Sequence, residues 1–193
     1  FGKYLIGTVV LVVVVAAIGI AWQNVTEGRR QAEGESFASA LELAREGATE
    51  QAATAFNRLA ENSGSGYRAL ARLQAAAALV KAGNTDEAVV VYDRLATDGA
   101  VDRILRDLGA LLAALHRFDA ADNAEMLQRL GPLVLDSNAW RFSAREMQAL
   151  VMHRSGDVAQ ARSLLEALVD DTDAPNGIRS RAAELLGVIG GEG

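Results

Sequence analysis

A pattern that recurs about every 36 residues constrains the fold of this chain more than any other feature. A glycine, an alanine, a large residue and a leucine follow one another at fixed spacing, and three copies are clear: Gly47, Ala52, Phe56, Leu59; Gly83, Ala88, Tyr92, Leu95; and Gly156, Ala161, Leu165, Leu168. The second copy follows the first by 36 residues and the third follows the second by 73, close to two periods. We therefore expect a degenerate copy between them, near residues 117–129.

Elementary helix physics explains the four positions. Glycine ends a helix because it adopts a left-handed conformation without a Cβ penalty, and Asn84, Thr85 or Asp157 can then cap the next helix. The alanine allows two antiparallel helices to approach closely, and the large residue four positions later lies on the same face. Each unit is predicted to be a helix hairpin that buries its apolar side only by stacking on its neighbours.

The predicted fold is all-α, an α-solenoid of helical repeats. Alanine, leucine, arginine and glutamate dominate, and they favour helices. The spacing resembles the tetratricopeptide repeat, although the proline that usually closes that repeat is missing. Helices are expected near 24–46, 49–61, 66–82, 85–97, 101–115, 118–130, 138–154, 157–169 and 176–189, the last one capping the array behind Pro175.

An apolar segment at residues 5–21 precedes the repeats, and Thr8 is its one polar residue. About 17 apolar residues is the lower limit for a transmembrane helix, and Tyr4 and Trp22 are suitable interfacial anchors. We predict a membrane anchor at 1–24, embedded in the lipid bilayer through 5–21. A linker and first helix at 25–46 and a repeat domain at 47–193 follow it.

The apolar segment leaves some alternatives open. A cleaved secretory signal is one, because residues 19–21 form a small-x-small site. The small pair Ala17 and Ala21 could also pack against another membrane helix. For orientation, the positive-inside rule weighs Lys3 before the segment against Arg29 and Arg30 after it, and taken literally it places the repeats in the cytoplasm.

The composition argues against several function classes. The net charge of −6 disfavours nucleic acid as a partner, and the absence of cysteine excludes disulfides and Cys-based zinc sites. His116 and His153 lack partners at metal-ligand spacing, and the acidic turn at residues 170–173 lacks the glycine and distant glutamate of a calcium loop. We expect no enzymatic activity and no cofactor.

A surface for proteins is therefore the predicted functional site. Helical repeats present a concave face, and Trp and Arg are enriched among the residues that dominate binding energy. Six candidates lie on the first helices of two pairs: Tyr67, Arg68 and Arg72, then Trp140, Arg141 and Arg145. The alternative for Trp140 is core packing. For the arginines it is a solvated face with local ion pairs.

The anchor and the repeats together resemble the bacterial YfgM-like family. The resemblance covers nearly the whole chain, through the Gly2-Lys3-Tyr4 start, the exit at Trp22, the linker at residues 29–40 and the later repeat at 144–162. It implies an ancillary subunit of the Sec translocon in the inner membrane, beside a membrane-anchored periplasmic chaperone. It also implies a cytoplasmic N-terminus and periplasmic repeats, against the local charge count.

A second interpretation within membrane biology remains open. The chain could be an accessory or assembly subunit of a respiratory or photosynthetic complex of the inner membrane, bound mainly through its transmembrane helix.

Overall fold

The computed structural model describes residues 27–190, and this part of the chain is all-α. The helices are α1 (27–45), α2 (Thr49–Asn62), α3 (Ser65–Lys81), α4 (Thr85–Thr97), α5 (Arg103–Arg117), α6 (Asn123–Leu130), α7 (Arg141–Arg154), α8 (Val158–Asp170) and α9 (Asn176–Gly190). The predicted helical-repeat architecture is confirmed. The predicted membrane segment, with Ala17 and Ala21, lies outside the described residues. Between residues 27 and 190, no helix is both long and apolar enough to cross a bilayer.

The first eight described helices form four pairs, α1–α2, α3–α4, α5–α6 and α7–α8. Glycines in the left-handed region end the first helix of three of these pairs. Gly47, Gly83 and Gly156 have φ of 83°, 85° and 84°, which is the conformation that the repeat pattern predicts. A Cβ at any of the three would meet open space, so the backbone conformation alone selects glycine. After the turn, Asp157 caps α8 by accepting from the N–H of Gln160 at 3.1 Å, whereas the Asn84 side chain makes no such bond.

The repeat alanines and the large residues that follow them form the interior. Ala52, Ala88 and Ala161 are completely buried, as are Phe56 and Leu165. Each described helix from α2 onward packs against the next one along the chain, and α7 also contacts α9. The core is accordingly a series of clusters: one spans α1 to α5, a second α5 to α7, and a third α7 to α9, while a small fourth joins α3 to the end of α4.

The third pair departs from the predicted pattern. Its second helix was expected from residue 118, but α6 begins at Asn123, behind the Asp122 side chain that accepts from the Glu125 N–H at 2.8 Å. The buried positions are shifted as well: Met126 and Leu130 of α6, and Leu133 just after it, take the places of Ala88, Tyr92 and Leu95, and each lies 38 residues later. The two extra residues lengthen a turn that has no glycine.

That glycine-free turn is held by a side chain from the next pair. Arg154, at the end of α7, donates from Nε to Asn123 Oδ1 at 2.7 Å and from Nη1 to the carbonyl oxygen of Phe118. Its guanidinium also lies over the Phe118 ring, 4.6 Å from the centroid. The fourth pair thus adds polar contacts to a turn that the third pair also closes itself, through the Ala121 N–H on the Arg117 carbonyl oxygen at 2.8 Å and the Arg117–Glu125 ion pair.

Candidate functional site

The first predicted cluster, Tyr67, Arg68 and Arg72, lies on α3 and contacts the chain itself. The Tyr67 ring is 5.9 Å from the ring of Phe37 on α1. Arg72 Nη1 donates to Asp98 Oδ2 at 2.5 Å. Arg68 donates to the Ser63 carbonyl oxygen at 3.0 Å.

Asp98 is the common partner of both arginines. Its side chain is 15% exposed, and Arg68 Nη1 lies 3.7 Å from the oxygen that Arg72 contacts. Two hydrogen bonds hold the pKa of the Asp98 carboxyl below its ordinary value of 3.8. The one from the Ala100 N–H has the largest effect, and the one from the Arg72 guanidinium comes second. Arg68 and Arg72 therefore join the start of α3 to the end of α4, and their predicted role in partner binding stays a prediction.

The second predicted cluster surrounds the start of α7. Trp140 is the residue before the helix, and its indole Nε1 donates to the carbonyl oxygen of Ile104 on α5 at 2.8 Å. Its backbone N–H donates to Asn138 Oδ1 at 2.8 Å. The ring is only half-buried, and it packs on the α5–α7 cluster. Trp140 thus combines the predicted core contact with an accessible face.

The two arginines of this cluster differ. Arg145 donates from Nε to the Val134 carbonyl oxygen at 3.1 Å and pairs with Asp136 through Nη2, so it ties α7 to the preceding loop. The Arg141 guanidinium lies 4.0 Å from the centroid of the Phe142 ring. Arg141 takes part in none of the ion pairs within residues 27–190.

The structure keeps the two predicted clusters apart. α3 packs against α2 and α4, whereas α7 packs against α6, α8 and α9. A partner that touched all six predicted residues would have to extend across the intervening pair.

A cleft of about 320 Å³ lies beside Trp140, between the first turns of α7 and α9, and we call it the α7–α9 cleft. Its lining is Ala139, Trp140, Phe142, Ser143, Pro175, Gly177, Ile178 and Arg181. Cavities that hold ligands start at about 300 Å³, so this one has room for a single anchoring side chain. Of the residues predicted for partner binding, Trp140 is the one that lines it.

Arg181 on α9 forms the polar edge of this cleft. It donates from Nε and Nη2 to the two carboxylate oxygens of Glu146 at 2.7 and 2.8 Å. The Glu146 side chain is 12% exposed, and its hydrogen bond raises the pKa of the Arg181 guanidinium. The bidentate pair joins α7 to α9 beside the cleft.

Sequence reasoning missed Phe142, Ile178 and Arg181, because they meet only when α9 stacks on α7. The one available signal was Pro175 at the start of the last helix, which placed α9 correctly but did not indicate which residues it would bring to Trp140.

A larger cleft, about 780 Å³, lies between α1 and the turn from α2 to α3, with Arg29, Arg30 and Glu33 on its α1 side. Glu33 Oε1 accepts from the Gly64 N–H at 3.1 Å. A carboxylate of the chain itself therefore occupies the positive N-terminal end of α3.

A model of the family described as tetratricopeptide repeat-like domain matches residues 1–184. The chain belongs to this family. No curated protein and no solved structure matches it. Membership of this family supports the general part of the predicted function, which is that the chain is a scaffold for protein–protein interactions. It does not distinguish the YfgM-like proteins from other tetratricopeptide repeat-like proteins.

Within residues 27–190, no group of three or more His, Cys, Asp or Glu side chains is arranged to hold a metal ion. His116 lies in the last turn of α5, where its ring stacks on Tyr92 with centroids 5.7 Å apart, and His153 lies in the last turn of α7. In the acidic turn, Asp171 Oδ1 accepts from the Asp173 N–H at 2.8 Å.

Proposed function

We propose that this protein is a non-enzymatic, membrane-anchored scaffold that binds other proteins through its repeat domain. The observation that carries the proposal is the α7–α9 cleft, which places the half-buried Trp140 ring beside a cavity on two first helices of the solenoid. Tryptophan beside a concave apolar surface is typical of the residues that dominate binding energy.

The proposed membrane anchor is the segment at residues 5–21. Its uninterrupted apolar sequence supports this role, and the family match extends over residues 1–184, so it includes the segment. We further propose that Ala17 and Ala21 contact a neighbouring membrane helix, since small residues four apart allow close helix approach.

The resemblance to the YfgM-like family supports a more specific proposal. We infer an ancillary role at the Sec translocon of a bacterial inner membrane, with a cytoplasmic N-terminus and periplasmic repeats beside a chaperone. The main alternative is an accessory subunit of a respiratory or photosynthetic complex that is bound through the span. The small pair Ala17 and Ala21 favours that alternative, because it would let the span pack closely against a membrane helix of the complex.

Affinity purification of the full chain in mild detergent, followed by mass spectrometry, separates these proposals. Sec subunits with a periplasmic chaperone would support the first, and stoichiometric oxidase or reaction-centre subunits would contradict it. Replacing residues 5–21 with an unrelated span should leave repeat-mediated binding intact, whereas binding through the bilayer would be lost.

The side of the membrane is tested separately. A cysteine introduced at the exposed Gly187 on α9 is the only thiol in the chain, because the sequence has none of its own. Labelling of intact cells by a reagent that cannot cross the inner membrane is expected if the repeats are periplasmic. Labelling only after lysis would place them in the cytoplasm.

A further inference from the structure

Asn176 is the first residue of α9, and Gly177 follows it. This is the only Asn-Gly pair in the sequence. The backbone nitrogen of the residue after an asparagine can attack the side-chain amide carbon. Glycine leaves this attack unhindered, because it has no Cβ and the widest conformational freedom of any residue. The pair therefore has the covalent chemistry that spontaneous deamidation requires.

The structure leaves both reacting groups of this pair accessible. Asn176 and Gly177 are exposed, and even a Cβ on Gly177 would have only Arg181 Nη1 within 4 Å, at 3.7 Å. Within residues 27–190, the Gly177 N–H has no acceptor and no hydrogen bond holds the Asn176 side chain. The Gly177 nitrogen can thus lose its proton without breaking a hydrogen bond to the chain.

The position of the pair at a helix end supplies the motion that the reaction needs. A helical backbone holds the Asn176 Cγ away from the Gly177 nitrogen, so the first turn has to open before they meet. Helix ends open at little cost in free energy. One oxygen, the Pro175 carbonyl, closes this turn by accepting from the Ile178 and Arg179 N–H groups at 2.9 and 3.1 Å. Opening at residue 176 therefore disturbs few bonds.

Asn123 provides an internal comparison, because it too is the first residue of a helix, α6. Ala124 follows it instead of glycine, and its Oδ1 accepts from Arg154 Nε at 2.7 Å. Asn138 is 2% exposed, and its Nδ2 donates to Asp107 at 3.0 Å. Among the asparagines of the described chain, Asn176 alone combines a following glycine with an unrestrained side chain.

We propose that Asn176 is a site of spontaneous deamidation. The Gly177 nitrogen bonds to the Asn176 Cγ, the Cγ–Nδ2 bond breaks, and Nδ2 leaves as ammonia with the proton that the Gly177 nitrogen gave up. Water then opens the resulting succinimide. Cleavage of the new N–Cγ bond gives aspartate, whereas cleavage of the original peptide bond gives isoaspartate. The reaction consumes only water and needs no partner protein, so it does not depend on the proposed function.

The two products affect the α7–α9 cleft differently. Pro175 and Gly177 both line it, and residue 176 connects them. Aspartate keeps the ordinary backbone and adds only a charge. Isoaspartate lengthens the main chain between the two lining residues by one methylene group, so Pro175 and Gly177 cannot both keep their places. Conversion to isoaspartate therefore changes the cleft and weakens the packing of α9.

Deamidation is measured on the full chain in phosphatidylcholine nanodiscs, incubated at mildly alkaline pH and sampled over weeks. Mass spectrometry of tryptic peptides quantifies the acid form of each asparagine, and fragmentation distinguishes isoaspartate from aspartate. Digestion in water enriched in heavy oxygen marks any acid formed during handling. We expect Asn176 to react at least about tenfold faster than Asn123, which corresponds to about 1.4 kcal/mol in activation free energy, and to yield both products.

Variants separate the effect of the glycine from that of the fold. Gly177→Ala should slow the reaction of Asn176 at least about tenfold, whereas Gly187→Ala on the same helix should leave it unchanged. Ala124→Gly creates a second Asn-Gly pair at the start of α6, where Arg154 still holds the asparagine. This new pair should react more slowly than Asn176, and adding Arg154→Ala should accelerate it. Circular dichroism melting verifies the folding of each variant.

Several results would overturn the inference. Equal rates at Asn176 and Asn123 would do so, as would an unchanged rate in Gly177→Ala. Acid at residue 176 without isoaspartate would exclude the succinimide route. The isoaspartate form, separated by ion exchange, should melt at a lower temperature than Asn176→Asp, which carries the same charge on an ordinary backbone. Equal melting temperatures would contradict the proposed effect on α9 and its cleft.

Discussion

A Cβ placed on Gly109 of α5 would lie 3.0 Å from the carbonyl oxygen of Tyr92 on α4. The same Cβ would be 3.2 Å from the backbone nitrogen of Ala96, so two backbone atoms restrict the space. The second and third pairs are thus in backbone contact where Tyr92 is buried. A glycine in the middle of a helix is unfavourable by about 1 kcal/mol relative to alanine, and this contact explains why one stands there.

Gly109→Ala is expected to reduce the free energy of unfolding by about 1 kcal/mol. The gain in helix propensity, about 1 kcal/mol, is outweighed by an overpacking cost of about 1–3 kcal/mol. Urea denaturation of the repeat domain measures the change. Gly187→Ala on α9, where the Cβ meets open space, is the control and should be neutral or stabilising. An increase in stability for Gly109→Ala would contradict the close approach.

Gly83→Ala tests the left-handed turn. The φ of 85° costs a residue with a Cβ about 1–2 kcal/mol, and we expect a loss of that size in the free energy of unfolding. Gly83→Asn should lose less, because asparagine tolerates this conformation better. The denaturation midpoint should be highest for wild type, intermediate for Gly83→Asn and lowest for Gly83→Ala. Equal midpoints for the two variants would contradict this explanation of the turn.

Asp98→Asn is expected to destabilise the protein at pH 7 by about 2 kcal/mol, because hydrogen bonds to charged groups are worth about 1.5–3 kcal/mol. The Ala100 N–H and Arg72 lower the pKa of Asp98 in the folded state. Its carboxylate therefore contributes stability above pH 3.8 that is lost as the pH falls through the folded-state pKa.

Denaturation midpoints of Asp98→Asn and wild type between pH 7 and 2 check this linkage. The difference between the two proteins should be constant near neutrality and shrink below the ordinary carboxyl pKa. A difference that persisted to pH 2 would show that the ionised carboxylate is not the stabilising group.

Ser63→Ala should stabilise the protein. The Ser63 side chain is buried, and its hydroxyl has no hydrogen-bond partner within residues 27–190. A buried unpaired polar group costs about 1–3 kcal/mol, and alanine removes that cost. Ser155→Ala is the matched control because the Ser155 hydroxyl donates to the Met152 carbonyl oxygen at 2.8 Å. A thermal melt in which Ser63→Ala lost stability would reveal a partner for this hydroxyl.

The sequence predicted the fold well wherever the local signal was complete. α4 runs from Thr85 to Thr97 as expected, because Gly83 ends the helix before it and Ala88 and Tyr92 define its buried face. The third pair lacks the glycine and the alanine, and Met126 fills the alanine position. With neither marker present, nothing in the sequence indicated the two added residues, so α6 was placed five residues too early.

The candidate site was less predictable because its contacts are distant in sequence. Arg72 meets Asp98 across 26 residues and Trp140 meets Ile104 across 36. Repeat spacing places Arg72 and Ile104 on first helices, but it cannot show whether an arginine finds a carboxylate of its own chain. Arg141, which finds none, and Arg145, which does, look alike in the sequence.

The Arg154 contacts with Phe118 and Asn123 have a consequence for synthesis. A chain is made from its N-terminus, and its parts begin to fold in that order. The turns at Gly47 and Gly83 can close as soon as their own helices have left the ribosome, because each contains the glycine that it needs. The turn of the third pair has local contacts too, since the Ala121 N–H donates to the Arg117 carbonyl oxygen at 2.8 Å and Arg117 pairs with Glu125. Its contacts with Arg154 become available only after residue 154 has emerged, 36 residues after Phe118. Translation therefore reaches the end of the fourth pair's first helix before the turn of the third pair has all of its contacts.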